Sequence, residues 1–241
     1  MAAVAVGHSG TGKTEGSLRS LGLYPDQVIS HASFPNIEGE HQLVVWQSTD
    51  VPSSGRSVDL AANLMTSWEE AMAKHAPTLV GRFAATLSRE RRDGQKMLDE
   101  WRQVALVYFL GLLHLDEVQN FFKLPSLAKR RKKDGNPEDL ELSIIEDQCL
   151  KWILSLTNTW QIPVLLTGTL DGVGALTKRL ANIQRFVTCG YHPYRHFEVV
   201  DDPAYADEFV KKLARYQLVA APVKVTPELL ELILVLTGGI Q

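Results

Sequence analysis

Gly7-His8-Ser9-Gly10-Thr11-Gly12-Lys13-Thr14 is the stretch that decides how this chain folds. It satisfies the spacing GxxxxGK[ST] at every fixed position. Before it, Ala2 to Val6 is a continuous apolar run, the pattern of a short buried strand, and after it a helix is expected from Glu15 to about Leu23. A glycine-rich loop that leaves a buried strand and opens a helix suits a phosphate. The glycines let the backbone curl so that successive N–H groups of Gly7 to Thr14 face one concavity, beside the positive end of a helix dipole. Lys13 is then expected to reach the β- and γ-phosphates of a nucleotide, and the Thr14 hydroxyl to ligate Mg²⁺. The competing interpretation is an ordinary glycine-rich turn between strand and helix.

Working outward, the next informative stretch is Leu112-Leu113-His114-Leu115-Asp116-Glu117, two acids closing the most apolar segment of the chain. An acid at such a strand end suits a Mg²⁺ partner, here Asp116, and an adjacent Glu117 can polarise an attacking water. Between and beyond these motifs, Gln42 to Gln47 reads as a strand and Ser57 to Lys74 as a helix, with Leu60, Leu64, Trp68 and Met72 at helical spacing. A helix is expected from Gln95 to Gln103, and Val104 to Leu115 reads as one buried central strand. Gln119 to Pro137 is expected as a loop, Glu138 to Asn158 as a helix, Ile162 to Thr167 as a strand and Asp171 to Gln184 as a helix. Phe186 and Val187 suggest a last core strand before the turn-rich Gly190-Tyr191-His192-Pro193, with helices at Pro203 to Gln217 and Pro227 to Leu236. Strands separated by helices predict an α/β fold with a parallel sheet and right-handed crossovers. The expected division is a core over 1–190 and a small helical subdomain over 191–241.

Four blocks carry a family resemblance: GHSGTGKT at Gly7–Thr14, GLLHLDEVQN at Gly111–Asn120, IPVLLTGT at Ile162–Thr169, and the arginine-bearing segment after it. Together they resemble the AAA+ ATPases, and within them the TniB/TnsC regulators of bacterial transposition. The resemblance implies a P-loop NTPase core with a partial helical lid. It implies that Lys13, Thr14 and Asp116 hold ATP and Mg²⁺ and that Glu117 activates water. It also implies that Thr169, or less favourably Thr167, senses the γ-phosphate. Arg179 or Arg185, near Lys178, would be lent to a neighbouring subunit as an arginine finger, so hydrolysis would need a homo-oligomeric ring or helical filament. A solvated basic helix end is the plain alternative for those arginines. Expected partners are a transposase, a target-selector protein and double-stranded DNA bound without regard to sequence. The rivals are another AAA+ DNA machine, of clamp-loader or helicase-loader type, and a slowly hydrolysing scaffold ATPase.

Composition narrows the options. The 241 residues are 45% hydrophobic and 22% charged with a net charge of −3, which excludes a disordered chain and any global attraction to nucleic acid. DNA contact must therefore come from local clusters: Arg82, Arg89, Arg91, Arg92 and Lys96, or the run Lys129 to Lys133. Such runs also occur as plain solvated faces. Cys149 and Cys189 have no metal-ligand spacing, and a reducing bacterial cytoplasm is expected, with no membrane partner. Relative to the family, the chain starts almost on its first strand and stops inside the expected lid, which suggests an excerpt of a longer protein. Glu15 is a further oddity, because a carboxylate beside phosphates is unwelcome unless it points outward.

Overall fold

The computed structural model describes residues 1–24, 26–33, 38–122, 144–169, 187–194, 196–216, 221 and 224–239. Its centre is a five-stranded parallel sheet. In chain order the strands are β1 (Ala2–Gly7), β4 (Gln47–Asp50), β5 (Leu113–Asp116), β6 (Val164–Gly168) and β7 (Tyr191–Tyr194), and across the sheet they run β4-β5-β6-β1-β7. A separate antiparallel pair joins β2 (Val28–His31) to β3 (His41–Val44). This is the α/β P-loop architecture expected from the phosphate loop, with β1 feeding helix α1 (Lys13–Leu21).

The core forms where helical periodicity promises it. Helix α2 (Ser57–His75) buries Leu60, Leu64, Trp68 and Met72, and α4 (Gly94–Val107) buries Met97, Leu98, Trp101, Val104 and Ala105. The short α3 (Ala84–Leu87) links them. One polar residue pins this layer to the sheet. Buried Gln47 of β4 donates to the Leu64 carbonyl at 2.6 Å and the Ser67 hydroxyl at 2.7 Å, and accepts the Trp101 indole N–H at 3.1 Å. Fully satisfied, such a residue orients β4, α2 and α4 together. The helix Ile144–Asn158 adds Trp152, Ile153 and Leu156 to the same core.

Three expectations are corrected. The run Val104 to Leu115 is not one strand: α4 continues to Val107, Phe109 turns the chain at φ 47, and only Leu113–Asp116 is extended. A continuous apolar run has no period of its own, and burial inside helix and strand looks alike. Second, Gln42 to Gln47 is divided between two sheets. His41–Val44 pairs with β2, and the chain turns at Val45 and Trp46, held by Val45 N–H to Gln27 O (2.9 Å) and Gln27 Nε2 to Trp46 O (3.0 Å), before β4 begins. Third, the last strand among the described residues is Tyr191–Tyr194. Phe186 lies outside the described residues, Val187 opens a turn, and Tyr191–Tyr194 pairs with β1 although it contains Pro193. β7 is a sheet edge, where a missing N–H is tolerated. The sheet thus extends past the expected boundary at residue 190.

Beyond β7 the chain is helical over 204–216 and again over Pro227–Thr237. Buried Tyr205 ties these parts together, its hydroxyl donating to the Leu230 carbonyl at 2.7 Å while its ring lies 5.1 Å from that of Phe197. The expected helix Asp171 to Gln184 and most of the expected loop after Gln119 lie outside the described residues. Among the described residues no helix is long and apolar enough to cross a membrane.

Candidate functional site: a phosphate loop facing an acidic strand end

The loop is shaped by its glycines. Gly10 and Gly12 adopt φ 84 and φ 72, the left-handed region where a Cβ is unfavourable, and Gly12 caps α1. Gly7 is required for a different reason: a Cβ there would stand 2.7 Å from the Tyr194 carbonyl oxygen and 2.8 Å from Thr11 Oγ1. The His8 carbonyl gathers three donors, Thr11 N–H at 3.3 Å, Thr11 Oγ1 at 2.9 Å and Lys13 Nζ at 2.7 Å. His8, Ser9 and Gly10 form the exposed crown of the loop, whereas Thr11 and Lys13 are buried. Burial pulls the Lys13 ammonium below the usual lysine range, and the carboxylates of Asp116 and Glu117 oppose the shift. Glu15 is exposed and paired with Arg19 at 2.7 Å, so its charge is directed away from the loop.

Strand β6 lies between β1 and β5, so the loop and the acids face each other across a slot two strand spacings wide, about 9–10 Å. Across it the Thr14 hydroxyl reaches Asp116 Oδ2 at 2.5 Å. The other oxygen, Oδ1, accepts the Thr167 hydroxyl and the Glu117 N–H at 2.8 Å. A hydroxyl and a carboxylate oxygen converging on one point, with an ammonium nearby, form an all-oxygen donor set of the kind that suits Mg²⁺ held together with a nucleotide's phosphates. The residues present therefore fit that ion. It would add charge neutralisation on the phosphate oxygens.

Glu117 leaves the strand at φ 56 and carries its side chain to the surface. A left-handed glutamate is uncommon, and such backbone strain clusters at functional sites. Its carboxylate is held by Gln119, whose Nε2 donates to Glu117 Oε2 while Oε1 accepts the Thr169 N–H at 3.1 Å. Only one orientation of the amide satisfies both contacts. Gly168 leaves room for that side chain, since a Cβ there would lie 2.7 Å from Gln119 Oε1.

The expected residues are thus partly brought together. Lys13, Thr14, Asp116 and Glu117 share the slot. Thr169 contributes its backbone N–H to Gln119, and the hydroxyl that touches Asp116 belongs to Thr167. Arg179 and Arg185, with Lys178, lie outside the described residues, as does the run Lys129 to Lys133. Arg89, Arg91, Arg92 and Lys96 line one pocket with Thr86, Asp93, Met97 and Glu100, while Arg82 is exposed nearby in sequence but not among its lining residues. Arg92 is engaged locally, donating to the carbonyls of Arg89 (3.1 Å) and Leu87. Sequence reasoning missed Gln119, Ser48 and His114. A histidine inside an otherwise apolar strand was the one available signal for the last of these.

Comparison with known proteins agrees with this geometry. The family described as AAA domain matches residues 1–173, more than half of the chain. No curated protein matches it.

Proposed function

This chain belongs to the AAA domain family of P-loop ATPases, and from that premise we propose that it hydrolyses ATP with Mg²⁺ to control its assembly on duplex DNA as a regulator of transposition. The observation that carries the ATPase part is the contact of Thr14 Oγ1 with Asp116 Oδ2 at 2.5 Å, beside a buried Lys13. Lys13 gives up its bond to the His8 carbonyl for phosphate oxygens, and the Gly7–Thr14 backbone supplies N–H donors to the same group. Glu117, at the mouth of the slot, takes the proton of the attacking water, and Gln119 orients it. Thr169 faces the terminal phosphate, the Thr167 hydroxyl being taken up by Asp116, and Arg179 or Arg185 of a neighbouring copy completes its charge neutralisation.

The DNA part is supported by the exposed cluster of Arg89, Arg91 and Lys96 around one pocket. Repeated around a ring or filament, a few cations per subunit give firm, salt-sensitive and sequence-independent binding. Transposase and target-selector proteins would then read the DNA-bound, ATP-loaded assembly.

The test is sedimentation of the protein with duplex DNA and a non-hydrolysable ATP analogue, followed by electron microscopy. Nucleotide-dependent assemblies threaded by DNA are expected. Lys13→Ala abolishes them, whereas Glu117→Gln binds ATP and accumulates the DNA-bound oligomer. Equal DNA association with and without nucleotide overturns the proposal, and assembly that ignores DNA favours a scaffold instead.

A further inference from the structure

Behind Asp116, on the side away from Thr14, runs a chain of side chains that the nucleotide chemistry does not itself require. Ser48 of β4 stands opposite His114 of β5 in register, its Oγ 2.8 Å from His114 Nδ1. His114 Nε2 lies 3.0 Å from Thr167 Oγ1 of β6, and Thr167 Oγ1 bonds Asp116 Oδ1. His114 and Thr167 are fully buried, and Asp116 is 3% exposed. Three strands are therefore stitched by one polar line that ends on a carboxylate.

The protons in this line have a single direction. An ionised carboxylate only accepts, so the Thr167 hydroxyl must give its proton to Asp116 Oδ1. That leaves a Thr167 lone pair to accept His114 Nε2–H. Ser48 Oγ closes the outer end of the line at His114 Nδ1. Oδ1 is committed to the line and the Glu117 N–H, and Oδ2 alone is presented to Thr14.

We propose that His114, clamped between Ser48 and Thr167, is a positioning residue for the magnesium site, holding the Asp116 carboxylate so that Oδ2 faces the Thr14 hydroxyl. This rests on reading Thr14 and Asp116 as the Mg²⁺ pair. Partners behind a metal-binding carboxylate typically change metal affinity by about 10–100-fold when removed. A histidine that only filled the core would alter stability without separating metal-assisted from metal-free nucleotide binding.

The experiment measures binding of a fluorescent, non-hydrolysable ATP analogue to the full chain, in EDTA and across a MgCl₂ titration. Melting curves establish that each variant is folded. His114→Leu is expected to raise the Mg²⁺ midpoint about tenfold while leaving affinity in EDTA unchanged. His114→Gln, whose amide can still donate to Thr167, stays within about threefold of the parent. Ser48→Ala, which loses only the outer end of the line, shifts the midpoint about two- to threefold and carries the test if His114→Leu does not fold. An unshifted midpoint in a folded His114→Leu or in Ser48→Ala overturns the proposal. So does a loss in EDTA equal to the loss in Mg²⁺. A parent protein whose analogue binding ignores Mg²⁺ altogether overturns the metal-pair reading and this inference with it.

Discussion

Gln119 shows how much one amide can decide. It spans from the Glu117 carboxylate to the Thr169 N–H, joining the end of β5 to the end of β6. Gln119→Ala is expected to lower ATP turnover about ten- to a hundredfold, because Glu117, the proposed base, loses its orientation. Nucleotide affinity, set by Lys13 and the loop, should stay within about twofold. Steady-state ATPase assays paired with equilibrium nucleotide binding check this, and a parallel loss of affinity would place Gln119 in the phosphate site instead. Gly7–Thr14 and Asp116–Glu117 were legible as candidates for phosphate and metal because that chemistry demands fixed residue types at fixed spacing. Gln119 and Ser48 were not, since a side chain bridging two strands leaves no periodic mark. Which of Thr167 and Thr169 touches Asp116 was not legible from sequence either. Two hydroxyls two apart on a strand share a face, and only the pairing of β5 with β6 brings Thr167 to Asp116.

At the scale of elements, α2 and α4 meet unusually closely at their first turns. Gly94 opens α4 beside the start of α2, and a Cβ on it would stand 2.5 Å from the Val58 backbone nitrogen and 2.4 Å from Ser57 Oγ. Intrinsic propensity favours alanine over glycine in a helix by about 1 kcal/mol. Overpacking against backbone costs about 1–3 kcal/mol, so the steric effect prevails. Gly94→Ala is therefore expected to lower the urea midpoint, and an unchanged or higher midpoint would show that the helices part without penalty. The same glycine shows what sequence reading sees in an element. The helical period of Leu60, Leu64, Trp68 and Met72 announced α2 almost to the residue. Where no period exists, as from Val104 to Leu115, the division into helix, turn and strand depended on Phe109 at φ 47 and on Gly111, whose Cβ would lie 2.6 Å from the Val45 carbonyl. Those are tertiary contacts, invisible along the chain.

For the molecule as a whole, stability should depend on pH through His114. Its folded pKa lies below the ordinary value of 6.5 because the ring is buried. Below that value the unfolded chain takes up a proton that the folded chain resists, so folding stability rises with pH through this window. The contribution is fully present above about pH 6.5 and is lost as the pH falls from there through the lowered folded value. Melting temperatures taken from about pH 7.5 down to about pH 5.5 should fall more steeply for the parent than for His114→Gln. Identical slopes would mean that another group governs acid sensitivity. At this scale the parallel α/β class was legible from alternation of strands and helices, whereas the order β4-β5-β6-β1-β7 was not, because strand order is set by which crossovers pack, and no local pattern encodes it.

That strand order also has a consequence for biosynthesis. Among the described strands β1 pairs with β6 and β7, which are translated well after it, with Ala2 set beside Val164 and Val4 beside Tyr191. At about 5–20 residues per second, the nascent segment waits on the order of tens of seconds for its neighbours to leave the ribosome. Throughout that delay the apolar Ala2–Val6 lacks its sheet partners, so the nucleotide pocket can mature only after β6 and β7 are made, although the loop that follows β1 is made long before them.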